Sequence, residues 1–452
     1  MKQIILTLIC TTLFFPLIGQ ARKANPMSEL WDDPQFQKEF TASYGVLTGY
    51  EPGLNEQEKD TLRSLIKVIK SRPQSAIEQL SSQIKDDDSA AFDFILANLY
   101  FQEGQLEEAS LYYGKAISKY PAFRRAYKNL GLVQIQKNDY SSAIISLSKS
   151  MELGEIDGRA YGLLGYSYLT QENYYPAEAA YRQAILMQPE VKDWKLGLAR
   201  CLLETGQYLN AASLMESLIQ EEPNNSNYWI LQSNALLGME ETLKAARNLE
   251  IVARLGKAEL QTFSLLGDIY MNNAMPDLAL NAYLKAADLA ETRDLDTLLK
   301  SAQVLTVTTN FKQSESMINR IRSDFSENLS DEADLELLTY EAKIARANGE
   351  DEIAADLLVQ IIERDLLNGE AIIELAKYYA DREQLAEAIT RFEQAAKIRA
   401  FERPALIAHA QSLVNYKQYN EALPLLYRAL KIETDRNLKD YTDRVERAAR
   451  NQ

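Results

Sequence analysis

The side chains that usually carry enzyme chemistry are scarce in this sequence. Its 452 residues contain one histidine, His409, and two cysteines, Cys10 and Cys201. His409 and Cys201 lie in helix-forming stretches that are far apart in the chain, and we predict structural roles for both. The acidic run 86–88 lacks the spaced ligands and the glycine of a calcium loop. No phosphate-binding, zinc-protease or dinucleotide motif is present. These features predict a protein without catalytic residues, metal or cofactor.

The net charge argues against polyanionic partners. Asp and Glu together number 65 and Lys and Arg together number 49, so the formal net charge is −16. Nucleic acids and anionic membrane surfaces select basic proteins, and we therefore expect no nucleic-acid partner. Apolar residues make up 46% of the chain, which is enough to bury large cores.

The first 21 residues have the pattern of a secretory signal peptide. Lys2 is followed by an apolar run from Ile4 to Ile18, and small residues lead to a cleavage site after Ala21. The run is shorter than the roughly 20 apolar residues of a membrane-spanning helix, and it contains Pro16. We expect an exported protein, periplasmic or in the cell envelope, with no membrane span in the mature chain. Retention of the segment as an anchor is the alternative.

One spacing dominates the rest of the chain. An alanine recurs every 34 residues from Ala109 to Ala279 and, after a disturbed stretch, again from Ala354 to Ala422, and a second small slot and a large apolar slot keep the same register. Each unit has two amphipathic stretches with apolar residues three and four apart, which predicts a helical hairpin. A lone hairpin cannot bury its apolar face, so successive hairpins must stack. The alanine slot holds Ala109, Ala143, Ala177, Ala211, Ala245, Ala279, Ala354, Ala388 and Ala422.

This pattern resembles the tetratricopeptide repeat family, whose unit is a 34-residue helix–turn–helix. The unit at 158–191 carries the family's residues in order: Tyr161, Leu164, Gly165, Tyr168, Ala177, Tyr181, Ala184 and Pro189. The resemblance covers residues 57–431 and implies an all-α fold, a right-handed superhelix of about ten units closed by a C-terminal capping helix. It implies a shared scaffold and no particular chemistry.

The register divides the chain into six parts. These are a signal peptide (1–21), an aromatic-containing N-terminal segment (22–56), an N-terminal repeat block (57–294), an irregular repeat and joint (295–334), a C-terminal repeat block (335–430) and a capping helix (431–452). Segment 22–56 either packs onto the first helices or docks on a partner. Within 295–334 six extra residues, 329–334, form either a longer surface loop or a joint between the blocks.

The first helix of each unit should line the inner face of the stack. The register places eight polar or aromatic residues there: Asn98, Gln102, Arg125, Lys128, Gln136, Arg159, Tyr166 and Arg200. The four cations would attract carboxylates, and an arginine can bind one through two hydrogen bonds. The alternative is that these cations pair with nearby acids such as Glu103 and Glu172.

The leading hypothesis is a non-catalytic, exported scaffold that binds protein or peptide segments, with acidic or carboxylate groups, in this groove. Residues 34–52 are similar to the N-terminal segment of envelope repeat proteins associated with TonB-type energy-transduction systems. This similarity implies a cell-envelope assembly for energy transduction, secretion or export. The alternative is an adaptor that docks a catalytic partner such as a hydrolase or transferase.

Overall fold

The chain is built from α-helices arranged as repeated hairpins. The computed structural model describes residues 51–450, in which there are 23 α-helices and no strand. The predicted all-α repeat fold is therefore confirmed. The predicted signal peptide and residues 22–50 lie outside the described residues. No helix within 51–450 combines the length and the apolar character needed to cross a bilayer. Contacts between helices divide the chain into two compact units, one ending at Lys257 and the other beginning at Ala258.

Unit 1 contains six helical hairpins within its described residues. In each hairpin, two consecutive helices pack against each other, and in the first five hairpins the second helix also packs on the first helix of the next hairpin. The twelve helices are α1 (Glu56–Ser71), α2 (Pro73–Gln83), α3 (Ala90–Gln102), α4 (Leu106–Lys119), α5 (Arg124–Gln136), α6 (Tyr140–Glu152), α7 (Gly158–Thr170), α8 (Tyr174–Met187), α9 (Lys192–Glu204), α10 (Tyr208–Glu221), α11 (Ser226–Gly238) and α12 (Thr242–Arg254).

Unit 2 contains five hairpins and a last single helix. Its helices are α13 (Leu260–Asn272), α14 (Pro276–Asp288), α15 (Leu295–Val307), α16 (Phe311–Phe325), α17 (Asp331–Asn348), α18 (Asp351–Arg364), α19 (Gly369–Asp381), α20 (Leu385–Ala396), α21 (Glu402–Asn415), α22 (Tyr419–Ile432) and α23 (Arg436–Arg450). Helix α23 buries Leu438 and Val445 against the last hairpin and is otherwise mostly polar, which suits a capping helix.

Small residues set how closely the helices approach. A Cβ atom at Gly165 on α7 would lie 2.9 Å from Cδ1 of Tyr181, and one at Gly197 on α9 would lie 2.7 Å from Cε1 of the same ring. Tyr181 therefore fills space that two glycines leave, one in its own hairpin and one in the next. Ala177, in the alanine slot of the same unit, is fully buried. The residues that the register assigned to helix contacts are in those contacts.

The turn inside most hairpins requires a left-handed backbone. One of the two residues that follow the first helix has a positive φ in ten of the described hairpins, and the φ of Gly206 is +73°. There, the amide of Gln207 donates to the carbonyl of Leu202 over 2.8 Å, which closes the end of α9. Seven of these ten turns use a residue other than glycine, so the turn is imposed by the packing of the hairpin as well as by local preference.

We expect Gly206→Ala to lower the free energy of unfolding by about 1 kcal/mol, because a Cβ atom is disfavoured at this φ. No atom lies within 4 Å of that Cβ position, so the effect isolates the backbone. Gly114→Ala in helix α4 is the matched control, since its Cβ position is also open and its backbone is helical. The control should raise stability by about 0.5–1 kcal/mol. Urea unfolding followed by Trp fluorescence measures the change in the free energy of unfolding for both variants. A change of the same sign in the two variants would contradict the assignment to the backbone conformation of Gly206.

The irregular repeat lies inside unit 2. Only the first two of the inserted residues 329–334 are loop, because α17 begins at Asp331 and is 18 residues long. Asp334, in the first turn of α17, accepts hydrogen bonds from Arg322 on α16 over 2.7 Å and from Arg364 on α18 over 2.5 Å. Burial acts to raise the pKa of Asp334, but the two guanidinium groups outweigh it and the pKa is lowered. The insertion thus lengthens a helix and supplies an acid that links three helices.

Candidate functional site

The predicted groove residues all lie on the first helices of four successive hairpins of unit 1. Asn98 and Gln102 are on α3, Arg125, Lys128 and Gln136 on α5, Arg159 and Tyr166 on α7, and Arg200 on α9. Their burial differs: Gln102 is exposed, Gln136, Arg159 and Arg200 are half-buried, and Asn98, Arg125, Lys128 and Tyr166 are buried. The four cations therefore lie in different environments: two are buried and two are half-buried.

Arg125 is paired with an acid that precedes the first helix. Its Nη2 donates to Oε2 of Glu51 over 2.7 Å, and its Nε donates to the other carboxylate oxygen. This fork-to-carboxylate geometry is a strong form of ion pair. The guanidinium carbon also lies 5.0 Å from the ring centroid of Phe94 on α3. Pairing, which was the alternative for the groove cations, thus holds for Arg125, but with Glu51 as the partner.

Lys128 is paired with the loop that precedes α7. Its Nζ lies 3.0 Å from Oε1 of Glu155 and 3.0 Å from Oδ2 of Asp157. Asp157 also accepts a hydrogen bond from the backbone N–H of Arg159 and so caps α7. The charge of Lys128 is therefore already balanced by acids that have a structural role.

A buried amide pair lies one helical turn beyond Arg125. Oδ1 of Asn98 accepts hydrogen bonds from Tyr113 Oη over 2.5 Å and from Asn129 Nδ2 over 2.9 Å. Each amide is only 1% exposed. Within residues 51–450, Nδ2 of Asn98 and Oδ1 of Asn129 have no hydrogen-bond partner. Asn129 was not among the residues predicted from the sequence, although its position four residues after Arg125 places it on the same face of α5.

Arg200 differs from Arg125 and Lys128, which are both paired with acids. It is half-buried, and no ion pair within 4.0 Å involves it in the described part of the chain. Burial lowers the pKa of its guanidinium, while Tyr181, Glu204 and Tyr166 act in the opposite direction. An arginine in this environment gains more from a bound carboxylate than a solvated arginine would, because much of its desolvation has already occurred.

Tyr166 forms part of the wall beside Arg200. It is buried, and its ring meets the ring of Tyr140 edge-on at a centroid distance of 5.8 Å. Burial, followed by hydrogen bonding with Tyr166, raises the pKa of Tyr140 to about 12. The phenol of Tyr140 is therefore neutral at physiological pH, and the two rings form an aromatic surface beside the groove cations.

The chain's histidine and its described cysteine have structural contacts. The ring of His409 on α21 stacks on Phe392 at a centroid distance of 5.1 Å, and burial lowers its pKa, so it is neutral at pH 7. Cys201 on α9 is buried, and burial raises the pKa of its thiol to about 12. A thiol with such a pKa stays protonated and is a poor nucleophile. Among residues 51–450, no three His, Cys, Asp or Glu side chains cluster to hold a metal.

Unit 2 holds a carboxyl group in an unusual environment. On α13, Oδ1 of Asp268 accepts a hydrogen bond from Tyr283 Oη of α14 over 2.6 Å. Burial raises the pKa of Asp268 to about 6, against the opposing effect of the hydrogen bond. Asn98 and Tyr113 form the corresponding pair of unit 1, in which an amide replaces the carboxyl group.

We expect Asp268 to make unit 2 less stable as the pH rises through about 6. The pKa in the folded state is raised above the ordinary value of 3.8, so the stabilising contribution is complete below 3.8 and is lost through about 6. Asp268→Asn should remove this dependence and raise stability at pH 7.5 by about 2–3 kcal/mol. Hydrogen exchange of the backbone amides of α13 and α14 at pH 4.5 and 7.5 measures this change in local stability. The exposed Asp296→Asn on α15 is the control, and the same change in both variants would contradict the assignment.

Stacked helical hairpins with small residues at their contacts define a helical-repeat fold. Two models of the tetratricopeptide repeat match the chain, at residues 94–150 and 168–235. Residues 94–150 and 168–235 therefore contain tetratricopeptide repeats, as the sequence indicated, and such repeats indicate a protein-interaction scaffold.

Similar proteins match parts of the chain. The Hsp70-Hsp90 organizing protein of Triticum aestivum is 30% identical over 102 residues, 23% of this chain and 18% of that protein. The BBSome complex member bbs-4 of Caenorhabditis elegans is 25% identical over 227 residues, 48% of each. The chain therefore spans less than half of either relative. The crystal structure of YrrB, described as a tetratricopeptide repeat protein with an unusual peptide-binding site, aligns with 41% of this chain and 95% of its own, with 20% identity and a TM-score of 0.39.

Proposed function

We propose that this protein is a non-catalytic, exported scaffold that holds a protein or peptide segment against the inner face of unit 1. The observation that carries the proposal is Arg200, a half-buried guanidinium whose pKa is lowered by burial and which forms no ion pair within the described residues. The most favourable partner for such a group is a carboxylate that binds both of its terminal nitrogens. The bound segment is therefore expected to present an acidic side chain or a C-terminal carboxylate.

The neighbouring side chains suit a peptide ligand. Tyr166 contributes ring edge and hydroxyl beside Arg200, and Arg159 lies on the same face of α7 two turns earlier. Positive charge on this face attracts acidic segments even though the whole chain is acidic. Two of the similar proteins are named for an organizing role and for membership of a complex, which supports a scaffold.

The proposed setting is a cell-envelope assembly for energy transduction of the TonB type, secretion or export. Its support is the apolar run before Ala21 and the similarity of residues 34–52 to envelope repeat proteins. The alternative function is an adaptor that docks a hydrolase or transferase. The identity of the captured partner distinguishes the two functions, since the adaptor should recover a catalytic protein.

We expect Arg200→Glu to reduce partner capture by at least about tenfold, because a charge-assisted hydrogen-bonded pair becomes a repulsive one. The tagged full chain would be crosslinked in its native envelope, and the recovered proteins quantified by mass spectrometry. Arg182→Glu on α8 makes the same charge change at an exposed position and should capture normally. Circular dichroism would confirm that both variants are folded. Equal capture by the two folded variants would contradict the role of Arg200.

A further inference from the structure

The stretch of chain just before α1 occupies the N-terminal end of the inner face of unit 1. The side chain of Glu51 is fully buried and reaches across 74 residues of sequence to bind Arg125 on α5. Pro52 is buried beside it, and the carbonyl of Gly53 accepts a hydrogen bond from Ser89 Oγ over 3.1 Å. We propose that residues 51–54, called here the self-ligand, occupy a binding site for an acidic peptide and are displaced when such a peptide binds. This inference rests on the proposed function and names a second carboxylate site in the same groove.

The self-ligand is attached by contacts that can be released without unfolding a helix. Asn55 caps α1 through its side chain, and Glu58 completes that cap through the backbone N–H of Asn55. These bonds lie after the self-ligand, so α1 keeps its cap when residues 51–54 leave. The contacts that would be lost include the ion pair to Arg125, the hydrogen bond from Ser89 to the carbonyl of Gly53, and the burial of Pro52 and Leu54.

The proposed site also includes the buried amide pair next to Arg125. Arg125 and Asn129 are one turn apart on α5, and Phe94 and Asn98 are one turn apart on α3. Arg125 with Phe94 therefore forms one level of the site, called here the cation rung, and Asn98 with Asn129 forms the adjacent level, called the amide rung. Nδ2 of Asn98 is a donor and Oδ1 of Asn129 is an acceptor, and neither has a partner within residues 51–450. A donor beside an acceptor matches the C=O and N–H groups of an extended peptide backbone.

The geometry therefore defines the chemistry of the competing ligand. Its side chain must be a carboxylate, because the fork of Arg125 binds two oxygens at once. It must be extended, so that backbone groups reach the amide rung about 5–6 Å away along the helices. A ligand that fills both rungs makes contacts that Glu51 does not make, and can compete with a tethered group of high effective concentration.

The test uses the full chain and a fluorescent synthetic peptide that copies residues 48–54, TGYEPGL. The wild-type chain should bind this peptide weakly, because its own self-ligand competes. Glu51→Gln should bind it at least about tenfold more tightly, and a peptide with Gln in place of Glu should lose that gain. Glu56→Gln removes an exposed carboxylate from α1 and should bind like wild type. Equal affinity of the wild-type and Glu51→Gln chains would overturn the proposal.

A second measurement needs no substitution. In the wild-type chain, saturating unlabelled peptide should speed hydrogen exchange of the amides of Glu51, Gly53 and Leu54, because the self-ligand is displaced, while the capped amide of Asn55 should stay protected. Unchanged exchange at saturation would also overturn the proposal. Neither measurement involves Arg200, so normal partner capture combined with failure here would reject the self-ligand and leave the proposed function standing. If instead Arg200→Glu captures partners as well as its control does and the peptide tests succeed, the role of Arg200 is rejected and the self-ligand stands.

Discussion

Lys119→Met should lower the free energy of unfolding of unit 1 by about 3–5 kcal/mol at pH 7. Nζ of Lys119, at the end of α4, lies 2.7 Å from Oδ2 of Asp93 on α3. The side chain of Asp93 is only 1% exposed, so removal of the lysine leaves a buried carboxylate without its counter-charge. Lys119 also donates to the carbonyl of Lys85, and this bond is lost as well. Urea unfolding followed by Trp fluorescence gives the change.

The pH dependence identifies the cause. Burial already raises the pKa of Asp93 above 3.8, against the opposing effect of Lys119, and loss of the lysine raises it further. A raised pKa in the folded state means that stability falls as pH rises through it, so the defect should be large at pH 8 and narrow toward pH 4. Asp93→Asn with Lys119→Met should recover most of the loss. Lys115→Met, on the exposed face of α4, should stay within about 0.5 kcal/mol of wild type. A pH-independent defect would contradict the assignment to Asp93.

The fold could be predicted from the sequence because the helix contacts that restrict residue size recur from unit to unit. A position where two helices cross admits only a small residue, and the ring that fills the groove beside it must be large, so both types recur at the helix–turn–helix spacing. Ala177 and Tyr181 are fully buried, as their slots required. Where the register slips, the contacts are still satisfied, because the inserted residues lengthen α17 and Asp334 joins it to two neighbouring helices.

The candidate site was predicted less completely, because partners of charged side chains do not follow the repeat. The register placed Arg125 and Lys128 on first helices, where they lie, but it could not identify the acids they contact. Glu51 comes from outside the repeats, and Glu155 lies in a loop between hairpins. Spacing predicts which face a residue occupies, whereas an ion pair depends on where distant backbone brings a carboxylate. The binding role of the eight groove residues remains a prediction that the Arg200 and Glu51 variants would test.

Tyr181→Ala should lower the free energy of unfolding of unit 1 by about 3–5 kcal/mol, because a fully buried aromatic side chain is removed from a site that cannot collapse. The ring lies between Gly165 and Gly197, whose backbones are held in α7 and α9, and its centroid is 6.5 Å from that of Trp194. Neither glycine has a side chain with which to fill the cavity. The loss should therefore exceed that of a ring bordered by flexible side chains.

The matched control lies on the same helix. Tyr175 on α8 is 71% exposed, so Tyr175→Ala removes an identical group from water and should change stability by less than about 0.5 kcal/mol. Both variants are measured by urea unfolding, with Trp194 fluorescence reporting on the environment next to the cavity. A cost for Tyr181→Ala close to that of the control would mean that the glycine slots do not set the approach of α7 and α9. The glycine and aromatic slots of the register would then lack their physical basis in this unit, where the ring of Tyr181 fills the space beside both glycines.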